Sequence, residues 1–332
     1  MIDRRNLVCG IAAVLSAALS SACLVSPAWA SGPAYPERPI KLVVPFAPGG
    51  SSDSLARVIG PELASRLGQP VVIENMPGAG GNIGIDALAK SAPDGYTLGL
   101  ATPGPIVVNV SLMESLPYDP VRDLAPIAMV GDLPIVLVAT KDLPSNDVAA
   151  LIAADKAEPG SLFFASAGVG TTMHLSGELF NTLAGTSLQH IPYAGAGAAI
   201  TDLLSGEVQL GFLDLPATMS HLQSGGLKIL AVGNRKRALS LPEVPTIAEQ
   251  GVEGYETSGW LGILAPAGTP EEITTRIHAA LAETMAVPAV RERLMQIGIE
   301  PTINTPAEFS DFIKAEIPKW AEVIKVSGAS VD

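Results

Sequence analysis

Cysteine is confined to the first 30 residues of this 332-residue sequence, where Cys9 and Cys23 are the two that it contains. The chain beyond them has no thiol that could form a disulfide, act as a nucleophile or bind a metal ion. Histidine is also scarce, and none of the four histidines stands in a spacing such as H-E-x-x-H that is typical of a metal site. The sequence therefore predicts no metal centre.

Signatures of nucleotide binding and of nucleophilic catalysis are missing too. Gly78-Ala79-Gly80 begins like the dinucleotide-binding motif G-x-G-x-x-G, but Ile83 stands where the third glycine would be. No Walker lysine follows the glycine-rich segments, and no G-x-S-x-G occurs. We therefore expect neither a cofactor nor an enzymatic activity, with a secreted hydrolase that uses Ser51 or Ser166 as a weaker alternative.

Charged residues make up only 16% of the sequence and aromatic residues 5%, and the formal net charge is −13. Such an acidic chain is a poor partner for nucleic acid and for anionic lipid surfaces. Hydrophobic residues account for 48% of the sequence, which is ample for a packed core. The length favours two globular units over one.

The first 30 residues have the pattern of a secretory signal. Arg4 and Arg5 precede an apolar run over residues 7–25, and Ala28-Trp29-Ala30 matches the small-x-small cleavage pattern. We expect export to the periplasm and cleavage after Ala30. A retained membrane anchor and a lipid on Cys23 are weaker alternatives, and the paired arginines leave open whether export uses the Sec or the twin-arginine route.

From Ile40 onward, short β-branched runs alternate with amphipathic stretches, which is typical of parallel strands joined by crossover helices. Two such series occur. A segment punctuated by proline and glycine then precedes a last apolar run and three helical patterns, so the chain is predicted to leave a second lobe and complete the first. The predicted lobes are residues 31–130 with 253–332, and residues 131–252.

Three glycine-rich turns, residues 46–53, 77–84 and 166–172, each follow a predicted strand and precede a predicted helix. Open parallel sheets bind ligands at this end of their strands. Glycine lets backbone N–H groups approach a ligand closely, and a helix N-terminus offers unpaired donors with partial positive charge. Together the turns predict a site that binds a carboxylate without arginine, although any one of them could be an ordinary helix cap.

Several polar residues near these strand ends allow both a structural and a ligand-binding interpretation. Asp53 could pair with Arg57 four residues on, or accept a hydrogen bond from a ligand. His174 could line the site or pack beneath it. Tyr193 and Asp214 follow strands of the second lobe and would face the same cleft, unless they are ordinary loop residues.

With these turns in view, nearly the whole chain after the signal resembles the tripartite tricarboxylate transporter substrate-binding receptors, also called the Bug receptors. The number of motifs in one order carries the resemblance. In sequence order they include Tyr35-Pro36 with Pro39-Ile40, Pro48-Gly49-Gly50-Ser51-Ser52-Asp53, Leu67-Gly68-Gln69-Pro70, Pro77-Gly78-Ala79-Gly80-Gly81, Pro93-Asp94-Gly95-Tyr96, Gly168-Val169-Gly170 with His174-Leu175, Pro192-Tyr193, Leu241-Pro242-Glu243-Val244-Pro245 and Ala265-Pro266-Ala267-Gly268-Thr269-Pro270.

The resemblance implies an α/β fold with two lobes, the periplasmic-binding-protein or Venus-flytrap arrangement, in which each lobe is a mostly parallel sheet flanked by helices. It further implies a receptor that holds a small mono- or dicarboxylate, aliphatic or aromatic, between the lobes and delivers it to integral-membrane transporter subunits. We also expect a monomer. A periplasmic sensor for a signalling kinase is the alternative that remains open.

The candidate ligand-binding residues come from the turns, from positions that match the family's motifs and, for Thr102 and Asp214, from extrapolation to strand ends. They are Phe46, Gly50, Ser51, Ser52, Asp53, Ala79, Asn82, Thr102, Ser166, Thr171, Thr172, His174, Tyr193 and Asp214. Three positions depart from the family pattern: Met76 replaces a usual arginine, Ala194 a basic or polar residue, and Gly197-Ala198 lacks a customary proline. The ligand's identity therefore does not transfer.

Overall fold

The structure, a computed structural model, describes residues 35–327 and residue 329. The predicted signal and its cleavage site lie outside the described residues. Among the helices of the described part, none is long and apolar enough to cross a membrane. From Arg38 onward the described chain packs as one unit.

The described chain alternates strands with helices, as the sequence predicts. The strands are β1 (Ile40–Val44), β2 (Val71–Asn75), β3 (Thr97–Ala101), β4 (Leu124–Thr140), β5 (Phe163–Ser166), β6 (Gln189–Pro192), β7 (Leu210–Asp214), β8 (Leu227–Val232), β9 (Ser258–Pro266) and β10 (Glu300–Pro301). The helices are α1 (Ser51–Leu67), α2 (Asn82–Ala89), α3 (Asn109–Leu112), α4 (Val148–Ala157), α5 (Thr172–Ala184), α6 (Ala196–Ser205), α7 (Leu215–Gln223), α8 (Glu271–Ala286), α9 (Pro288–Gln296) and α10 (Pro306–Ser327), with a 3₁₀ turn at Ala79–Gly81 and a π-helix at Gly104–Val108.

Hydrogen-bonded strands follow one path, β2-β1-β3-β9-β4-β7-β5-β6, and β8 and β10 also pair with β4. The outer pairs β1–β2, β1–β3, β5–β6 and β5–β7 are parallel, whereas the pairs that β4 and β9 make are antiparallel. We call β1–β3, β9 and β10 the first strand group and β5–β8 the second strand group. This is an α/β arrangement with a mixed sheet, parallel at its outer strands.

The 17-residue strand β4 joins the two strand groups. Its first part pairs with β9, from Leu124 to Pro134, and its last part pairs with β7 and β8, from Ile135 to Thr140. The predicted lobe boundary at residue 130 falls inside this strand. The lobe ranges remain a prediction.

Helix starts follow the carboxyl ends of the parallel strands. The first of them, α1, begins after β1 with Gly50 at its N-cap and ends at Gly68, whose φ of 75° is the left-handed conformation that glycine adopts without strain. Likewise α5, α6 and α7 follow β5, β6 and β7. Because neighbouring parallel strands end at the same edge of a sheet, these helix N-termini are gathered there.

Buried side chains cover both faces of the second strand group. Leu137 belongs to a core cluster with Phe164 and Phe212, whereas the next residue of β4, Val138, packs in a cluster on the other face. A separate cluster in the first group contains Trp260 and residues of α10. A sheet that is buried on both faces explains why the strands are continuously apolar in the sequence.

Candidate ligand-binding cleft

A cleft of about 830 Å³ lies where the carboxyl ends of strands from both groups meet. All three glycine-rich turns contribute to its wall, the second of them through Gly80. The predicted site residues that line the cleft are Phe46, Gly50, Ser51, Ser52, Thr102, Thr171, Thr172 and Asp214.

Helix N-termini supply much of the polar wall. The first residues of α1, α5 and α6 line the cleft, as do residues of the first turn of α7. In α1 and α6 the N-caps are Gly50 and Gly195, and neither helix has a side-chain hydrogen bond at its cap. In α5 and α7 the side chains of Thr171 and Asp214 each accept a backbone N–H. Several partial positive charges thus face one cleft.

Full positive charges are not part of this wall. Among the described residues that line the cleft there is no lysine and no arginine, and its ionisable side chains are Asp214 and His221. Within the described chain, no group of three or more His, Cys, Asp or Glu side chains could hold a metal ion. An anion in this cleft would be held by backbone N–H groups and hydroxyls.

Asp53 is engaged within the first turn. Its buried carboxylate accepts hydrogen bonds from Gly49 N at 3.0 Å, from Arg57 Nε at 2.8 Å and from Asn75 Nδ2 at 3.0 Å. The Arg57 hydrogen bond is the main reason why the pKa of Asp53 lies below its usual value. The structure therefore shows the predicted pairing with Arg57, and Asp53 itself is not among the cleft-lining residues.

One side-chain hydrogen bond crosses between the strand groups at the cleft. Ser51 Oγ, at the start of α1, donates to Asp214 Oδ2, at the end of β7, over 2.8 Å. Asp214 Oδ1 accepts Ala217 N, so both carboxylate oxygens have partners. Burial raises the pKa of Asp214 above its usual value, against the opposing effect of the Ser51 hydrogen bond.

The second turn places its predicted residues behind the wall. Asn82 is buried, and its Oδ1 accepts a hydrogen bond from Asn109 Nδ2 at 2.8 Å and lies 2.9 Å from Tyr118 Oη. Ala79 is exposed, in the left-handed region with φ of 47°. Neither residue lines the cleft. In this structure Asn82 anchors the turn that presents Gly80.

Two stacked histidines support the third turn from below. The rings of His174 and His190 lie 3.9 Å apart, and His174 Nδ1 accepts Gly170 N at 3.2 Å. Ser166 is fully buried, with Oγ 2.7 Å from His190 Nε2. Burial, together with the neighbouring His174, lowers the pKa of His190 to about 3, so this ring is neutral at ordinary pH. Ser166 and His174 pack beneath the turn rather than on the cleft wall.

Tyr193 also stands behind the wall. Its hydroxyl donates to Asp202 Oδ2 at 2.8 Å, and burial, with Asp202 nearby, raises the pKa of Tyr193 to about 12. The cleft is lined instead by the residues that follow it, from Ala194 to Gly197. The loop after Tyr193, and not the predicted Tyr193 itself, forms this part of the wall.

Two buried polar groups of cleft-lining residues have no hydrogen-bond partner within the described chain. They are Thr102 Oγ1 and Trp260 Nε1. Trp260 was not among the predicted site residues, because it lies in the apolar run of β9, and such a run is typical of a core strand. Its side chain does pack in the first-group core, with ring centroids 5.5 Å from Phe309.

The strand order and the cleft between the strand groups define the class of protein: an α/β periplasmic-binding-protein fold, as seen in solved solute-binding proteins. Residues 55–329 match the family described as the tripartite tricarboxylate transporter family receptor. The chain belongs to this family, whose members are binding proteins and not enzymes. Of the two serines named for the hydrolase alternative, Ser166 is fully buried beside His190, and Ser51 is bonded to Asp214.

Several relatives match over nearly their full length. Protein BugT of Bordetella pertussis is 42% identical over 96% of this chain and 98% of its own. The structure of Rhodopseudomonas palustris Rpa4515 with adipate is 39% identical with a TM-score of 0.83, over 89% of this chain and 99% of that one. The structure of MatC from R. palustris with bound malate is 33% identical with a TM-score of 0.78, over 87% and 100%.

Proposed function

We propose that this chain is an extracytoplasmic solute receptor that binds a small carboxylate between the two strand groups and delivers it to the membrane subunits of a tripartite tricarboxylate-type transporter. One observation carries the proposal: helix N-termini from both strand groups meet at a cleft whose described wall has no lysine or arginine. The adipate and malate of the two related structures are both carboxylates, which supports the ligand class.

Backbone donors are well suited to hold a carboxylate head group in this cleft. The uncapped N-terminus of α1 offers unpaired N–H groups, and Ser52 and Thr172 add hydroxyls from the two strand groups. A buried polar group without a partner costs roughly 1–3 kcal/mol. A ligand, or a water that bridges to it, would satisfy Thr102 Oγ1 and Trp260 Nε1 and recover that cost.

The net charge of −13 does not prevent anion capture. Exposed charges farther away than a Debye length, about 8 Å at physiological salt, are largely screened. The N–H groups of the cleft act at hydrogen-bond distance, where screening is small. Local donors therefore outweigh the overall charge.

Ligand binding would also favour the closed receptor. A ligand that contacts both strand groups stabilises the closed form by its differential affinity for that form. We take the lobes as residues 31–130 with 253–332 and residues 131–252, and the receptor as a periplasmic monomer. A membrane partner could then recognise the closed form.

Thermal unfolding tests the class of ligand. We expect carboxylates to raise the unfolding temperature of the purified receptor and their primary amides not to do so, because the uncharged amide gains less from the helix N-termini.

Deleting hydroxyls tests the cleft wall. Thr172→Val and Thr102→Val, which keep side-chain shape, should each weaken carboxylate binding about tenfold in calorimetric titration, since each removes one hydrogen bond to a charged group.

Thr182→Val is the matched control, since Thr182 is exposed, lies on the same helix as Thr172 and bonds only Glu178 O among the hydrogen bonds described. Unchanged affinity in both cleft variants would place the ligand elsewhere.

Deletion of the gene should abolish uptake of the ligand by the cell. Uptake that persists would favour a sensor for a signalling kinase over a transport receptor.

A further inference from the structure

Given the proposed function, we infer that the ligand of this receptor carries one carboxylate and an uncharged, largely apolar body that packs against α6. Residues of α6 and Val169 of the third turn form one part of the cleft wall. Its side chains differ in chemistry from those around α1.

The wall on this side is largely apolar, and the hydroxyl of Thr201, which also lines it, already donates to Gly197 O over 3.1 Å. Ile200 and Leu204 both line the cleft, and because they are four residues apart they lie on the same face of α6. Val169 of the third turn lines the cleft as well. Leu204 and Val169 are 42% and 44% exposed, so large apolar side chains face the open cleft. Apolar surface of this kind at a concave site is what an apolar ligand group covers.

A second carboxylate would find no lysine or arginine among the described residues here. The ionisable side chains of the described wall are Asp214, whose two carboxylate oxygens are already bonded to Ser51 and Ala217, and His221, which stands on α7 and not on α6. Taking a charged group out of water is unfavourable unless the group is paired or hydrogen-bonded. The loop Ala194–Gly197 offers only small side chains on this wall.

The competing partner for a second carboxylate is the N-terminus of α6, which has no side-chain cap. The N–H groups of that end act without hydroxyls, because the first turn of α6 is Ala196-Gly197-Ala198, whereas α1 and α5 add Ser52 and Thr172 to theirs. Gly197, in the first turn of α6, is exposed. The apolar wall therefore decides the preference, and the cleft of about 830 Å³ leaves ample room beyond a carboxylate for an uncharged body.

Two pairs of probes, each a monocarboxylate and a dicarboxylate on the same carbon skeleton, test this inference. Hexanoate is compared with adipate and benzoate with terephthalate by calorimetric titration of the full mature receptor. In the pair that binds more tightly, we expect the monocarboxylate to bind at least about tenfold more tightly than the dicarboxylate. Equal or tighter binding of the dicarboxylate overturns the inference but leaves carboxylate capture intact. Binding of none of the four contradicts carboxylate capture itself.

A lysine placed on the wall should reverse the preference. Leu204→Lys supplies an ammonium group, which the described wall lacks, so the dicarboxylate should gain about tenfold in affinity and the monocarboxylate should lose affinity. Ser205→Lys, at the next position, which is also exposed, adds the same charge outside the cleft lining. If both lysine variants change the preference equally, long-range charge explains the effect and the α6 wall does not select the ligand. Unfolding temperatures without ligand verify that both variants fold.

Discussion

The carboxylate of Asp53 accepts hydrogen bonds from three groups that come from the first turn, from α1 and from β2. These bonds fix the entry into α1, and therefore the position of the N–H groups that face the cleft. The role of Asp53 is thus to hold the first turn. Arg57, which is more than half exposed, closes the network from the solvent side.

Asp53→Asn should destabilise the folded state by about 2 kcal/mol at pH 7, because three donors lose a charged acceptor. Since the pKa of Asp53 is lower in the folded state than in the unfolded chain, its contribution is present above the unfolded value of about 3.9 and is lost as pH falls through the folded value. Denaturant unfolding of both proteins from pH 7 to pH 2 measures this. A difference that stays constant over that range would contradict the account.

Asp311→Asn is the control for this measurement, because Asp311 is 82% exposed and lies 3.9 Å from Lys314. Exposed ion pairs contribute little, so we expect a change within about 0.5 kcal/mol. A similar loss in both variants would mean that removing a negative charge from an acidic protein, rather than the network of the first turn, causes the effect.

Sequence patterns placed these residues at helix starts but did not determine what each side chain contacts. The pairing of Asp53 with Arg57 has a local signal, the spacing of four residues, but Asn75 of β2, which also bonds Asp53, and the His190 ring of β6, which stacks on His174, come from elsewhere in the chain. Asn82 is similar, since its buried partners Asn109 and Tyr118 are 27 and 36 residues away. Tertiary partners of this kind leave no local signal.

Helix α5 approaches β5 more closely than most side chains would allow. A Cβ added at Gly177 would overlap the ring of Phe164. That ring stacks on His190, which in turn stacks on His174 beneath the third turn. The glycine therefore sets the distance between helix and strand, and with it the support of the ligand-binding turn.

Gly177→Ala should lower the free energy of unfolding by about 1–3 kcal/mol, because overpacking outweighs the gain of up to about 1 kcal/mol in helix propensity. Thermal and denaturant unfolding measure the change. Gly60→Ala, in the interior of α1, is the control: its Cβ would lie 3.7 Å from Ile73 Cδ1, an ordinary contact, and should stabilise the protein. Stabilisation by both substitutions would show that α5 has room to move.

Most strands could be predicted, because the segments of both strand groups show β-branched runs that alternate with helical patterns. The first half of β4 could not. Pro126 and Pro134 interrupt it, and proline is unusual inside a strand, so the pattern indicated a strand only from Ile135. The structure accommodates Pro126 next to a register shift against β9. The first half of the strand that joins the two groups could therefore not be predicted, because prolines interrupt its pattern.

At the scale of the whole molecule, the cleft is formed by residues far apart in the chain. Ser51 and Asp214 are 163 residues apart and bond directly, and Trp260 reaches the same cleft from β9. The sequence predicted the convergence of glycine-rich turns because all of them follow parallel strands. The sequence could not identify Trp260, because nothing in the pattern of a buried strand indicates that an indole N–H lacks a hydrogen-bond partner.

In the proposed complex, backbone N–H groups and hydroxyls hold a carboxylate between the strand groups. The most direct measurement is a crystal structure of the mature receptor with the carboxylate that stabilises it most. We expect the carboxylate oxygens within hydrogen-bond distance of N–H groups at the start of α1 and of the Thr172 hydroxyl, directly or through one water. A carboxylate bound outside the cleft, or held by a lysine or arginine side chain, would contradict the account.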